Sequence, residues 1–314
     1  MCKDELSSMR VTVQRQLLTL ALVAALLPSC TASALRPLSA AAPSVARHRA
    51  LWVWDRGAAA EDPGAQARLL AFANKHAIDT FYYSTEELLR RHPAALASFV
   101  QAAAARGVGV ELLFANNRWV YPQNQAQAAS VVDQAVRFVS ALPGARPTAL
   151  HFDIEAYRLP EWKAGRQKEI EGDYLALLQK LAVVKGSLPV HVDIPFWFYR
   201  TPFVAPSGVT GPFDRAVLAV VDGCTIMDYR NAAGGLDGIV ADGQGTMAAA
   251  EAAGKPLLVG VETNRIDPAY VTFYRLGDAA LGVQLSRVDE GFDADKEFAG
   301  TAIEDYEGYR EMGP

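Results

Sequence analysis

Thr148-Ala-Leu-His-Phe-Asp-Ile-Glu-Ala-Tyr157 is the stretch from which the rest of the chain can be read. Its alternation predicts a strand, with Leu150, Phe152 and Ile154 on one parity and His151, Asp153 and Glu155 on the other. Burying an acid-bearing face removes hydration that only good partners replace, so such a strand is costly unless its acids are used. Two carboxylates at a strand end also push their pKa values apart, leaving one group protonated beside an anion. A structural charge network inside a barrel is the alternative use of the same residues.

Working outward, short apolar runs alternate with longer Ala-rich amphipathic segments, the pattern of repeated strand-helix units and a parallel sheet. Strands are expected at 50–54, 79–84, 109–114, 149–155, 189–196, 223–229, 256–263 and 300–304. Helices are expected at 65–76, 85–106, 125–142, 167–186, 247–253 and 278–292. Eight strands with intervening helices in one chain of this size predict a (β/α)8 TIM barrel, α/β in class, as a single domain over 49–314. The crossover between Trp197 and Val220 carries Pro202, Pro206, Gly208, Gly211 and Pro212 and gives no clear helix. A doubly wound open sheet is the competing topology, but no Gly-rich phosphate loop follows the first strand.

The 314 residues are 51% hydrophobic and 21% charged, ordinary globular composition, with a formal net charge of -5. That balance, without clustered Lys and Arg, argues against a nucleic-acid partner. Arg10 and Arg15 precede an apolar run, Leu17 to Leu27, which has the length of a signal-peptide core rather than a membrane span. Residues 1–30 are therefore expected to be a signal peptide. Leu27-Pro-Ser-Cys30 resembles the lipobox of bacterial lipoproteins, which makes Cys30 the candidate lipid attachment point and the only expected link to a membrane. Residues 31–48, rich in Ala, Ser and Pro, read as a flexible tether. The expected location is the bacterial cell envelope, lipid-anchored, or the medium if the protein is secreted freely. Cys224 is left alone in the body of the chain within an apolar strand, which suits a buried thiol. No Cys or His cluster has metal-ligand spacing along the sequence, so neither a metal nor another cofactor is expected.

In such barrels chemistry gathers where the strands end. Those ends bring Trp52, Trp54, Tyr83, Asn116, Trp119, Asp153, Glu155, Asp193, Trp197, Asp228, Tyr229, Arg230, Glu262 and Glu304 toward one rim. Aromatic rings stack on the apolar faces of sugars while carboxylates and amides bond the hydroxyls, so a polysaccharide or glycan is the expected substrate.

Here the chain resembles family 18 glycoside hydrolases, the chitinase group, whose catalytic strand reads Asp-Gly-hydrophobic-Asp-x-Asp-x-Glu. Asp153 and Glu155 match the last two acids, while Thr148, Ala149 and His151 replace the Asp, Gly and middle Asp. Met227-Asp-Tyr229 resembles that family's Met-x-Tyr motif, with Arg230 in place of the usual following acid. The resemblance implies Glu155 as general acid and Asp153 as partner of the substrate acetamido N–H. It also implies that Tyr229 donates to the acetamido oxygen, which attacks the anomeric carbon in a substrate-assisted retaining mechanism. Trp54, Tyr83, Asn116, Trp119, Asp193, Trp197, Asp228, Arg230, Glu262 and Glu304 are the candidate substrate contacts. The family commonly ends its last strand in Trp, where this chain has Glu304 and Tyr306. Two other readings stay open: a retaining glycosidase using Glu155 and Glu262, and a carbohydrate-binding barrel without turnover.

Overall fold

The computed structural model describes residues 47–204, 208 and 210–313, so the expected leader and nearly all of the tether lie outside the described residues. Ten strands follow in order: β1 His48–Val53, β2 Thr80–Ser84, β3 Gly109–Phe114, β4 Ala149–Phe152, β5 Val190–Pro195, β6 Pro202–Val204, β7 Thr210–Pro212, β8 Gly223–Met227, β9 Leu257–Glu262 and β10 Phe298–Glu304. Eight of them close in the order β1-β10-β9-β8-β5-β4-β3-β2, every neighbouring pair parallel, which makes the fold a (β/α)8 TIM barrel. β6 and β7 pair antiparallel as a separate two-stranded ribbon.

Strand alternation divides the protein into two cores. Leu51, Phe81, Leu112, Leu150, Val192, Ile226, Val259 and Ile303 point outward and are buried under the helices. Ala50, Trp52, Tyr82, Leu113 and Ala302 point inward and form a smaller apolar cluster within the barrel. Trp52 fits there because β9 carries Gly260: a Cβ on that residue would lie 2.9 Å from Trp52 Cη2 and 3.0 Å from the Ile226 carbonyl oxygen.

Several boundaries differ from expectation for local reasons. β4 stops at Phe152 rather than Glu155. The Asp153 N–H still donates to the Phe114 carbonyl at 3.0 Å, and the chain then turns through Ile154 into a 3-10 turn at Ala156–Arg158. The helix expected over 85–106 is divided into Glu86–Arg91 and Pro93–Ala104, because Pro93 can open a helix but cannot continue one. His48, assigned to the tether, is the first residue of β1. The helix expected at 247–253 begins earlier, at Ile239. The crossover rich in Pro and Gly becomes the β6–β7 ribbon followed by the short helix Phe213–Leu218.

Candidate functional site

At the C-terminal mouth of the barrel, inward parity brings Trp54, Asp153, Asp193, Tyr229, Glu262 and Glu304 together. Glu262 and Glu304 stand opposite each other in the β9–β10 register. Trp54 Nε1 donates to Glu304 Oε1 at 2.9 Å, tying β1 to β10 across the rim. Burial lifts the Glu304 carboxyl well above its ordinary range, and Asp305, Asp153 and Glu262 push it further the same way. Burial also raises Glu262, although its Oε1 accepts from the Asn264 backbone N–H at 2.6 Å and side-chain amide at 2.9 Å. Asp153 is driven well upward by burial first, then by Asp193 and Glu155. Its Oδ1 is buried without a hydrogen-bond partner. Tyr229 stays a phenol far above neutral pH because it is buried among Glu304, Glu262, Asp153 and Asp193. The result is a cluster of carboxyl groups whose pKa values burial raises, set around a hydroxyl donor.

Glu155 occupies the edge of this mouth. Asn117 Oδ1 accepts from its backbone N–H at 2.7 Å and so fixes the turn that carries it. Its carboxylate accepts from the Tyr157 hydroxyl and from Arg158 Nη1, the latter at 2.6 Å. The Glu155 side chain is 16% exposed and that of Arg158 65%. Trp197 stands next to this group, its ring 5.4 Å from that of Tyr157 in an edge-to-face arrangement.

Four of the remaining candidates lie elsewhere. Tyr83 points outward from β2, stacking on Phe99 at 4.3 Å while its hydroxyl accepts from the Ala60 N–H and donates to Asp55. Trp119 is fully buried against Phe114, behind the barrel wall. Asp228 is also fully buried and faces the helix Ile239–Ala253, where Gly243 leaves it room. Burial, aided by Asp242, raises Asp228 to about 8. Arg230 is occupied by the Tyr229 carbonyl and Asp237, both at 2.9 Å, and lies 3.5 Å from Asp242. These four placements correct the expectation that every strand-end polar residue reaches the mouth: alternation sends Tyr83 and Asp228 to the helix side, and packing removes Trp119 and Arg230. Asn116 caps the turn Asn117–Val120 through the Arg118 N–H at 3.1 Å.

Below the mouth, a polar chain runs through the barrel. Trp52 Nε1 donates to Asp193 Oδ2 at 2.9 Å, and His151 Nε2 lies 2.8 Å from Asp193 Oδ1. His151 Nδ1 lies 2.7 Å from Glu111 Oε2, and His191 Nδ1 lies 3.0 Å from Glu111 Oε1. Burial would lower the His151 pKa, but the carboxylates of Asp193 and Glu111 outweigh it and hold the imidazolium up to about 10. Burial likewise opposes the ionised form of Glu111, and the two histidines reverse that, bringing it down to about 2. A cavity of about 280 Å³ opens on this chain from the N-terminal end of the barrel, lined in part by Glu111, His191, Tyr82, Thr225 and Cys224. Glu111 and Arg158 were not singled out from the sequence. Glu111 carried a usable signal, since it shares the inward parity of Leu113 and sits one strand-helix unit, 40 residues, before His151. Arg158 lay just past the expected strand end and offered none.

No known family profile matches the chain, and no curated protein does either. Solved structures match it as folds. A GH18 chitinase from Pseudoalteromonas aurantia is 11% identical over 82% of this chain and 94% of its own, with a TM-score of 0.55. The GH99 endo-alpha-mannosidase from Bacteriodes thetaiotaomicron is 12% identical over 85% of each chain, with a TM-score of 0.54. The chain spans only 55% of the L-Ala-D/L-Glu epimerase from Bacillus subtilis, at 13% identity and a TM-score of 0.45. At such identities the likeness to the chitinase and the endo-mannosidase is one of fold alone.

Proposed function

We propose that the mouth of this barrel hydrolyses a glycan, with Glu155 as general acid and Asp153 and Tyr229 assisting a substrate-assisted, retaining reaction. The observation that carries this reading is Asp153 Oδ1, a buried acceptor without a partner beside a phenol that retains its proton. Unsatisfied buried polar atoms are rare and costly, and an acetamido group would supply what this pair lacks: an N–H for Asp153 and a carbonyl oxygen for the Tyr229 hydroxyl. The carbonyl oxygen so held attacks the anomeric carbon, the glycosidic bond breaks and Glu155 protonates the departing oxygen; water then attacks the same carbon, its proton passes to Glu155, and the acetamido oxygen leaves. Trp54 and Trp197 offer ring faces or edges to the sugar at opposite sides of the opening. The architectural likeness to a chitinase and an endo-mannosidase agrees with this reading. In the same proposal, an N-terminal leader exports the protein and Cys30 anchors it at the bacterial envelope, or the protein is secreted.

One observation favours a second reading. The Arg158 guanidinium engages Glu155, so that contact has to open before the carboxyl can meet a glycosidic oxygen. A barrel that keeps this pair closed would bind glycan without cleaving it. Glu262, raised by burial beside Glu304 in the β9–β10 register, gives a further route as nucleophile with Glu155 as acid/base.

The test is release of new reducing ends from a panel of N-acetylated and non-acetylated polysaccharides, using the parent, Glu155→Gln and Glu262→Gln. Activity restricted to acetylated glycans, abolished by the first change and tolerant of the second, supports the substrate-assisted reading. Loss with both changes on non-acetylated glycans supports the two-glutamate mechanism. Calorimetric binding without release by any protein supports the binding barrel.

A further inference from the structure

We infer that Glu111, His151 and His191 form a site for one divalent transition-metal ion of the Zn2+ type at the base of the barrel, away from the mouth. One ligand atom from each of the three residues lies within 4.8 Å of the others. The His151 and His191 nitrogens already sit 2.7 and 3.0 Å from the Glu111 carboxylate. A tetrahedral ion with bonds of about 2.0–2.1 Å needs its ligands about 3.3 Å apart, so Glu111 has to withdraw slightly and the two imidazoles, whose ring centres are 6.5 Å apart, have to turn toward a common point. Two imidazoles and one carboxylate are a donor set that suits Zn2+ and its neighbours rather than Ca2+ or Mg2+, which prefer oxygen.

Three further observations aim the cluster at a metal. His151 Nε2 is engaged by Asp193 Oδ1 at 2.8 Å, the carboxylate–histidine support that fixes the ring and leaves Nδ1 for an ion. The fold holds the ligands rigidly: His151 and His191 are register partners on β4 and β5, and Glu111 is on the adjoining β3. The cavity of about 280 Å³ gives an entry path and an open fourth position for water, with Tyr82, Thr225 and Thr148 hydroxyls around it. Charge balance agrees, because Glu111 and Asp193 together offset a dication between neutral imidazoles. The ion would replace the direct contacts that the two imidazoles now make with Glu111. It would also set the Asp193 end of the same chain, immediately beneath Asp153. This inference does not depend on the chemistry at the mouth.

The experiment is isothermal titration of untagged, chelator-treated full-length protein with ZnCl2, repeated on His191→Ala and on Glu111→Gln. A parallel titration with CoCl2 is read by visible absorption. The expected result is one ion per chain with micromolar or tighter affinity, tetrahedral Co2+ bands, and at least a tenfold loss of affinity in His191→Ala. His191 is the most accessible ligand, with 24% of its side chain exposed, and its removal should leave the circular dichroism spectrum unchanged. If that variant misfolds, His191→Gln and the Co2+ spectrum of the parent take its place. Absence of saturable binding by the parent, octahedral Co2+ bands, or a stoichiometry and affinity unchanged by loss of His191 overturns the assignment.

Discussion

Asp228 illustrates how far burial moves a single group. Its folded pKa of about 8 stands above the ordinary 3.8, so the folded state holds a proton that the unfolded chain releases. Stability from this group is complete below about pH 4 and is lost as pH rises toward 8 and above, the reverse of an ion-paired carboxylate. Asp228→Asn keeps the shape and removes the titration. Thermal melts should therefore show the variant gaining on the parent between pH 5 and pH 8.5, by up to a few kcal/mol, with little difference near pH 4. A constant gap across that range would show that Asp228 does not titrate as described. At the mouth, Arg158→Gln frees Glu155 of its ion pair and, because Arg158 is largely exposed, should cost little stability. Glycan release by this variant should equal or exceed that of the parent; a loss above tenfold would make Arg158 a substrate contact instead. The inward facing of Asp153 and Tyr229 was legible in the sequence from parity, whereas Glu155 lies past the end of β4 in a turn that parity does not describe. Tyr83 and Asp228 fall on the outward parity, opposite Tyr82 and Tyr229, so position near a strand end was weighed there without the alternation that decides the face, and Trp119 lies beyond its strand, where alternation no longer applies.

Elements were easier to read than their ends. All eight barrel strands could be placed because each apolar run is short and bounded by turn residues, whereas the end of β4 depended on one tertiary bond, from Asp153 N–H to Phe114, that the sequence does not display. Pro93 announced the break in the second crossover, yet an apolar periodicity on both sides concealed it. Close approach between elements makes a sharper prediction. Gly260 of β9 lets Trp52 of β1 reach across the barrel to Asp193 of β5, and no larger residue fits that path. Gly260→Ala should cost ~1–3 kcal/mol, read as a lower midpoint in urea, through displacement of the indole. An unchanged midpoint would mean that the barrel interior tolerates more volume than the 2.9 Å approach allows.

For the molecule as a whole, one polar chain runs up the barrel interior, from Glu111 and His191 at the base through His151 to Asp193 and Trp52. Sequence parity placed His151 and Asp193 inside, but the junction of three strands whose polar residues stand 40 apart required the closed sheet to become visible. Composition argued against nucleic acid and the aromatic and acidic residues at the strand ends suggested a sugar; the architecture is compatible with many chemistries, so the substrate must be argued from the site. The central claim is that Glu155 at this mouth delivers a proton to a glycosidic oxygen. The most direct test measures reducing ends released from an N-acetylated polysaccharide by the parent and by Glu155→Gln, with glycan binding by both followed in a calorimeter. The account predicts release by the parent, at least ~100-fold less by the variant, and binding retained in both. Equal release by the two proteins, or binding with no release by the parent, would contradict it.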